Sequence, residues 1–459
     1  MQDLGAGSVT RHLLKTTGFM LVAMAAQTLY FLVDLYWVGR LGREAVAAVA
    51  ISGNLMFLVL AMSQMLAVGT TTLVSHAAGQ KDRDRAQLVF DQAQKLSLVV
   101  GALFLGLAMA LRPLYARAVS ADAATAALAS DYLRWFIPAS ALQFAMVAMS
   151  AALRGTGNFR PGMVVHTASL GINMVLAPFL IFGWGTGRPL GVTGAALSTL
   201  IAVVVGTVWL ARYFLPKDAY LRLPPSGWTT RLDLWGAILR IGLPAGAEFG
   251  VMATYLVVVF AVIQPFGAAA QAGFGIGMRI LQAGFMPVVA LGFAVASVAG
   301  QNFGARKPDR VRETFRSAVC LAVGGMIVFA IVCHIAPAAM VAVFSSDPQV
   351  VSVGDGFLRI VSWNSVPMSI IFVASSLFQA MGNTVPALTS SFVRILLVVP
   401  AAVLLSRHAG FELRWMWYLS VAAGAAQMMV SLLLVRREFG RRLGVPAGSR
   451  AIMRTEGAK

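Results

Sequence analysis

Twelve predominantly apolar stretches of about 20 residues or more recur along the chain, at approximately 13–38, 46–72, 92–112, 130–153, 163–183, 191–213, 237–263, 268–298, 315–336, 357–380, 386–405 and 414–435. Each can cross a hydrocarbon core of about 30 Å at about 1.5 Å of rise per residue. The segments lack the two-residue alternation of a barrel strand, and an open sheet leaves its backbone polar groups unsatisfied in lipid. The sequence therefore predicts an all-α polytopic membrane protein with twelve transmembrane helices. A composition that is 58% hydrophobic and only 12% charged agrees with that class.

A net charge of +18 is compatible with nucleic-acid binding until its placement is considered. Most of the 36 Lys and Arg gather in alternate loops, those after spans 2, 4, 6 and 8, and at the two ends of the chain. That asymmetry is the positive-inside signal and predicts cytoplasmic termini in the inner membrane, with lipid rather than nucleic acid as the macroscopic partner. Cys320 and Cys333 both fall in span 9, and no disulfide is expected there. The first apolar run is too long for a cleavable signal and lacks a small-residue cleavage site.

Matched against itself, the sequence repeats at an offset of 225 residues. Gly42 meets Gly267, Gly79 meets Gly304, Asp84-Arg85 meets Asp309-Arg310, and Asp122 meets Asp347. Further on, Leu133-Arg134 meets Leu358-Arg359, Gly157-Asn158 meets Gly382-Asn383, and Pro161 meets Pro386. These are polar or turn residues aligned without a gap, so each half holds six spans, and an even number gives both halves the same orientation in the membrane. The predicted organisation is a six-helix lobe at 1–212, a linker at 213–236, a second lobe at 237–437 and a basic tail at 438–459. Two such lobes enclose a central cavity and alternate its access by rocking, which is a transporter architecture.

No phosphate-binding Gly-rich loop, His-Glu-x-x-His site or appended nucleotide-binding domain is present in the sequence. The five histidines show no metal-ligand spacing, and no nucleophile clusters with a base, so neither an enzyme nor a resident metal or cofactor is expected. A channel would need a re-entrant filter or a repeated polar pore lining, which is also missing.

Charges at membrane depth are costly and point to function first, with structural pairing as the competitor. Asp34 is the only ionisable residue between Gly18 and Val38, with Gln27 and Tyr30 on the same helical face. Its repeat mate is Val259, so this charge belongs to one lobe. In a low-dielectric cavity a lone carboxylate can alternate between neutral and charged forms, and a group that does so can exchange a proton for a substrate. A structural hydrogen bond, or wetting from outside, is the alternative for Asp34. Glu248 is the second intramembrane acid, on a span marked by Pro244 and by Gly242, Gly246 and Gly250. It either contacts a cationic substrate or pairs with Arg279 or Arg394. Arg134 and Arg359 sit at matching ends of spans 4 and 10, which suggests a structural role. Most of the 22 Met and 27 Phe are expected to pack or face lipid, the remainder giving the cavity an adaptable surface for flat apolar cations.

The stretch QTLYFLVDLYWVGRLG, the loops GQKDRDRA and GQNFGARKPDRVR, the pair RGTGNFRP and QAMGNTVP, and NMVLAPFLIFG followed by GVTGAALSTLIA resemble the multidrug and toxic compound extrusion (MATE) family. The resemblance runs from about Leu13 to Arg437. It implies a V-shaped pair of six-helix bundles exporting organic cations in exchange for protons or sodium. By motif it also implies a polar network of Asp34, Asn173 and Thr199 in the N-terminal lobe.

This chain departs from the pattern in two places. Members with a sodium site in this lobe commonly carry a second aspartate where Ala177 stands, and the loss of that oxygen ligand favours a proton over a hard cation. In span 7 an acid borne by some members on a later turn is replaced by Met252, with Glu248 one turn earlier. The sequence thus predicts a proton-driven, less readily sodium-driven, exporter of small amphipathic cations that works as a monomer. Gln27, Tyr30, Glu248, Met252 and Arg279 are its candidate substrate contacts. A lipid-linked oligosaccharide flippase is the related alternative, disfavoured by twelve rather than fourteen spans and by few cavity charges.

Overall fold

The structure is a computed structural model that describes residues 2–185, 187–223, 229–408 and 410–444. Within them the first half forms α1 (Val9–Gly39), α2 (Arg43–Gly79), α3 (Arg83–Val119), α4 (Ala123–Gly155), α5 (Arg160–Phe182) and α6 (Val192–Arg212). The second half forms α7 (Leu232–Ile263), α8 (Ala268–Gly304), α9 (Pro308–Ile335), α10 (Pro337–Ala342), α11 (Pro348–Val361), α12 (Ser365–Ala380), α13 (Val385–Ser406) and α14 (Leu413–Arg442). Twelve crossings among the described residues are long and apolar enough to span a membrane, with α11 and α12 joined by a tight turn into one crossing. Residues 224–228 of the expected linker and 445–459 of the expected tail lie outside the described residues.

Several helices overrun the apolar segments because polar caps start them early. Asp82 accepts from the Arg85 N–H at 2.9 Å and opens α3 nine residues before its apolar run. The repeat mates Asp122 and Asp347 cap α4 and α11 through the Thr125 and Gln349 N–H groups at 2.7 and 2.8 Å. Turn geometry repeats with the same offset. Lys81 and Arg306 both sit in the left-handed region, at φ 60° and 55°, as do Gly157 and Gly382 at 79° and 72°.

The two halves meet along α1, α2, α7 and α8, close to the face that holds both chain ends, called here the terminal face. Small residues make the approach possible. Gly79 lies against the Gln301 carbonyl and Gly304 against the His76 carbonyl, and Gly242 of α7 lies against the Met65 carbonyl of α2. The N-terminal stretch adds to this seam. The Leu4 N–H is accepted by Gln301 Oε1 at 3.0 Å, and Lys307 Nζ donates to the Gly5 carbonyl at 2.8 Å. Leu4, Val9 and Leu13 are fully buried in a cluster with Val288, Leu291, Val295 and Phe378, so the first part of α1 packs into a core built by the second half.

Among the described residues, the hydrogen bond between halves that lies furthest from the terminal face joins Thr28 Oγ1 to Met286 Sδ at 3.5 Å. Beyond it the described residues of the two halves share none. Residues 219–223 and 229–231 dock on α3 instead, where the Arg222 and Arg231 N–H groups are accepted by Gln87 and Gln92 at 2.8 and 3.0 Å.

Candidate functional site

The outer part of α1 packs beside α5 and α6. Asn173 is buried on α5, and its Nδ2 donates to Thr199 Oγ1 of α6 at 3.0 Å. The Thr199 hydroxyl in turn donates to the Ala195 carbonyl at 3.1 Å, which fixes it as an acceptor toward Asn173. Ser198 Oγ lies 3.5 Å from Asn173 Oδ1. Tyr30 meets the Thr199 side chain and stands in the field of Asp34, and Tyr132 of α4 lies in the field of both. Asp34 is half-buried, one turn beyond Tyr30 on α1.

The structure thus brings Asn173 and Thr199 into direct contact and sets Asp34 beside them through Tyr30. No hydrogen bond or ion pair to the Asp34 carboxylate is described among these residues. Ala177, one turn beyond Asn173, is buried with Val38, Ile181 and Ala195, so its position holds a methyl group and no oxygen.

Two turns nearer the terminal face lies a second polar group. His166 Nε2 is 2.9 Å from Gln27 Oε1, which joins α5 to α1 seven residues before Asn173 and Asp34 respectively. Beneath it is Arg154 of α4, whose charge acts on His166. Its Cζ lies 5.4 Å from the centre of the Phe293 ring in the second half. Hydropathy alone assigns Arg154 to a loop, one residue past the apolar span, yet α4 continues through it. The signal that could have found it is the repeat, because its mate in QAMGN is Gln379 and the charge is unshared.

In the second half Glu248 is half-buried on α7, and Ser375 Oγ of α12 donates to its carboxylate at 3.4 Å. The expected pairing with Arg279 or Arg394 is not what the described residues show. Arg394 lies over the Tyr255 ring, with Cζ 4.2 Å from its centre, and Nη1 reaches Met368 Sδ at 3.3 Å. A delocalised guanidinium can use an aromatic face where a carboxylate is out of reach. Arg279 is exposed on α8, and Met252 is exposed one turn after Glu248. Of the three spaced glycines, Gly242 and Gly246 take the close approach to α2 while Gly250 faces open space. Arg359 pairs with Asp355 at 3.0 Å within α11, and Arg134 leans on Trp135, local contacts in keeping with framework roles.

The arrangement is that of two halves sealed at one end, with carboxylates and hydrogen-bonding side chains near the space between them. The MatE family matches the chain twice, over residues 20–179 and 244–404, once in each half. A Bacillus subtilis (strain 168) protein described as "Probable multidrug resistance protein YoeA" is 26% identical over 423 residues, spanning 91% of this chain and 90% of its own. A Thermotoga maritima protein described as "Probable multidrug resistance protein NorM" is 24% identical over 372 residues, spanning 80% and 79%. A solved structure of a multidrug resistance MATE family transporter of the MOP superfamily, in an outward-facing conformation, shares the fold. It superposes with a TM-score of 0.89 at 24% identity, covering 97% of this chain and 98% of that one. With two family matches that together take in most of its length and the same twelve-helix fold, this chain belongs to the MatE family.

Proposed function

We propose that the protein is a secondary active multidrug exporter of the inner membrane, with both termini cytoplasmic, that expels amphipathic organic cations in exchange for protons taken up at Asp34. The observation that carries this reading is the half-buried Asp34 beside the Asn173–Thr199 pair, with no arginine or lysine paired to it among the described residues. Protonation removes the charge that interacts with the Tyr30 and Thr199 side of the network, and the outer part of α1 then shifts against α5 and α6. Ala177 supports a proton over sodium, because a single carboxylate with one amide and one hydroxyl is a sparse shell for a hard cation.

The energetics are sufficient. Each charge moved across 100 mV contributes about 2.3 kcal/mol, and a pH gradient about 1.4 kcal/mol per unit. One or two protons thus sustain roughly a hundredfold to several-thousandfold gradient of substrate.

The test is ethidium accumulation in inverted vesicles under an imposed pH gradient without sodium, for the wild type and Asp34→Asn. The wild type is expected to concentrate ethidium, and the variant to bind it without concentrating it. Equal transport by both would remove Asp34 from coupling, and a sodium requirement would overturn the choice of ion.

A further inference from the structure

Arg154 is half-buried, and a guanidinium withdrawn from water without a counter-charge is costly. Its Nε is buried and has no hydrogen-bond partner, and its described contact is the face of Phe293. The ion pairs among the described residues, Arg312–Asp309, Arg359–Asp355 and those of Arg441 and Arg442 with Glu438, lie elsewhere.

The neighbours of Arg154 have the same polarity. The Gln27 carbonyl oxygen cannot donate, so in its contact with His166 the imidazole Nε2 carries the proton and the Gln27 oxygen is occupied. What Gln27 keeps is its amide N–H₂, and what Arg154 keeps is its guanidinium N–H groups. The guanidinium N–H groups and that amide N–H₂ are donors, and the guanidinium is permanently positive, which favours an anion over a cation.

We propose that Arg154 and Gln27, the latter held in place by His166, form a subsite for the anionic group, a carboxylate or phosphate, of an amphipathic substrate, and that Phe293 displaces that group when the halves seal. The proposal rests on the exporter reading and extends it from cations to organic anions and zwitterions. Arg154 is followed by Gly155, whose carbonyl accepts from Gln301 Nε2 at 3.0 Å across the seam. Parting the halves at the terminal face takes Phe293 away from the guanidinium and opens it to an anion from that side. Sealing returns the ring to the guanidinium. The subsite thus binds its ligand differently in the two states, which is what net transport requires.

The experiment follows 5(6)-carboxyfluorescein and ethidium in parallel in inverted vesicles carrying the wild type, Arg154→Gln or Arg154→Lys, with carboxyfluorescein binding to the purified proteins read by fluorescence anisotropy. The wild type is expected to bind and accumulate carboxyfluorescein. In Arg154→Gln the ratio of carboxyfluorescein to ethidium accumulation should fall by about tenfold or more, the scale of a lost charge-assisted hydrogen bond, and Arg154→Lys should recover part of it. Inorganic phosphate should leave carboxyfluorescein binding unchanged at equal concentration. Its displacement of the dye would mean that the site takes free phosphate and would overturn the amphipathic assignment. A wild type that moves ethidium but neither binds nor moves carboxyfluorescein would overturn the subsite, as would a variant that loses both in proportion. Failure of the wild type to move ethidium would instead strike the exporter reading.

Discussion

His76 and Gln301 stand 225 residues apart at equivalent places in the two halves, and each donates to a helix-end carbonyl of the other half. His76 Nε2 reaches the Ala380 carbonyl at 2.6 Å and Gln301 Nε2 the Gly155 carbonyl at 3.0 Å. The acceptors are themselves repeat mates, the last residues of α12 and α4. The seam at the terminal face is thus built twice by the same local arrangement. Each half supplies one donor and one acceptor, so separation breaks both bonds together.

The close crossing around that pair gives a first expectation. A Cβ at Gly79 or Gly304 would meet a backbone carbonyl of the facing helix, whereas one at Gly324 on α9 meets nothing. Gly79→Ala and Gly304→Ala should each disfavour the sealed form by about 1–3 kcal/mol, and Gly324→Ala should not. Pulsed electron paramagnetic resonance between spin labels at Asp84 and Asp309 reads the change as a shift toward longer distances. An unchanged distribution in both glycine variants would mean that the crossing does not limit closure.

Gln301 carries more of the seam than its partner, because its oxygen accepts from the Leu4 N–H while its nitrogen holds Gly155. Gln301→Ala leaves two buried backbone groups unpaired, at a cost of about 1–3 kcal/mol for each group that water cannot reach. Amide hydrogen exchange over residues 2–8 should accelerate in this variant. Protection as strong as in the wild type would show that Leu4 burial alone fixes the segment.

Outside the membrane, Asp122 supplies a pH-dependent cap. Its carboxylate accepts from the Thr125 N–H and hydroxyl, and the backbone bond, foremost, holds its pKa below the usual carboxylate value. A depressed folded-state pKa means that the cap contributes fully above the unfolded value, near 3.8, and loses its contribution as pH falls through the lower folded value. The Thr125 amide should therefore exchange faster, relative to neighbouring helical amides, as the carboxylate protonates. Asp122→Asn should abolish that dependence while keeping most of the cap. An Asn variant with the same acid response would place the titrating group elsewhere.

Much of the fold was legible because hydrophobic length and turn chemistry are local properties. Nine of the twelve spans fall inside the observed crossings and the other three, 163–183, 191–213 and 315–336, overrun their helices by one residue at one or both ends, and the offset that aligned Gly157 with Gly382 also aligned their left-handed conformations. What escaped was set by contact. Hydropathy stopped one residue short of Arg154, since the burial of that side chain depends on Phe293, about 140 residues away in sequence. The amphipathic α11 was missed for a related reason, as its apolar face is interrupted by polar residues and averages out along the chain. At the site, Asn173 and Thr199 were found together because the motifs around them resemble a family. Charge alone left Glu248 either a substrate contact or a partner of Arg279 or Arg394, where Ser375 lies against Glu248 and Tyr255 takes Arg394.

The packing of Leu4, Val9 and Leu13 against Val288, Leu291 and Phe378 has a consequence for how the protein is made. The leading turns of α1 owe their burial to residues synthesised roughly 280–370 positions later. At about 5–20 residues per second, those side chains wait roughly 15–60 s for their partners. During that interval the helix must be held by lipid or by the insertion machinery rather than by its own protein. Assembly of the seam therefore waits for α8 and α12, and a chain released before they are complete leaves the leading turns of α1 unmoored.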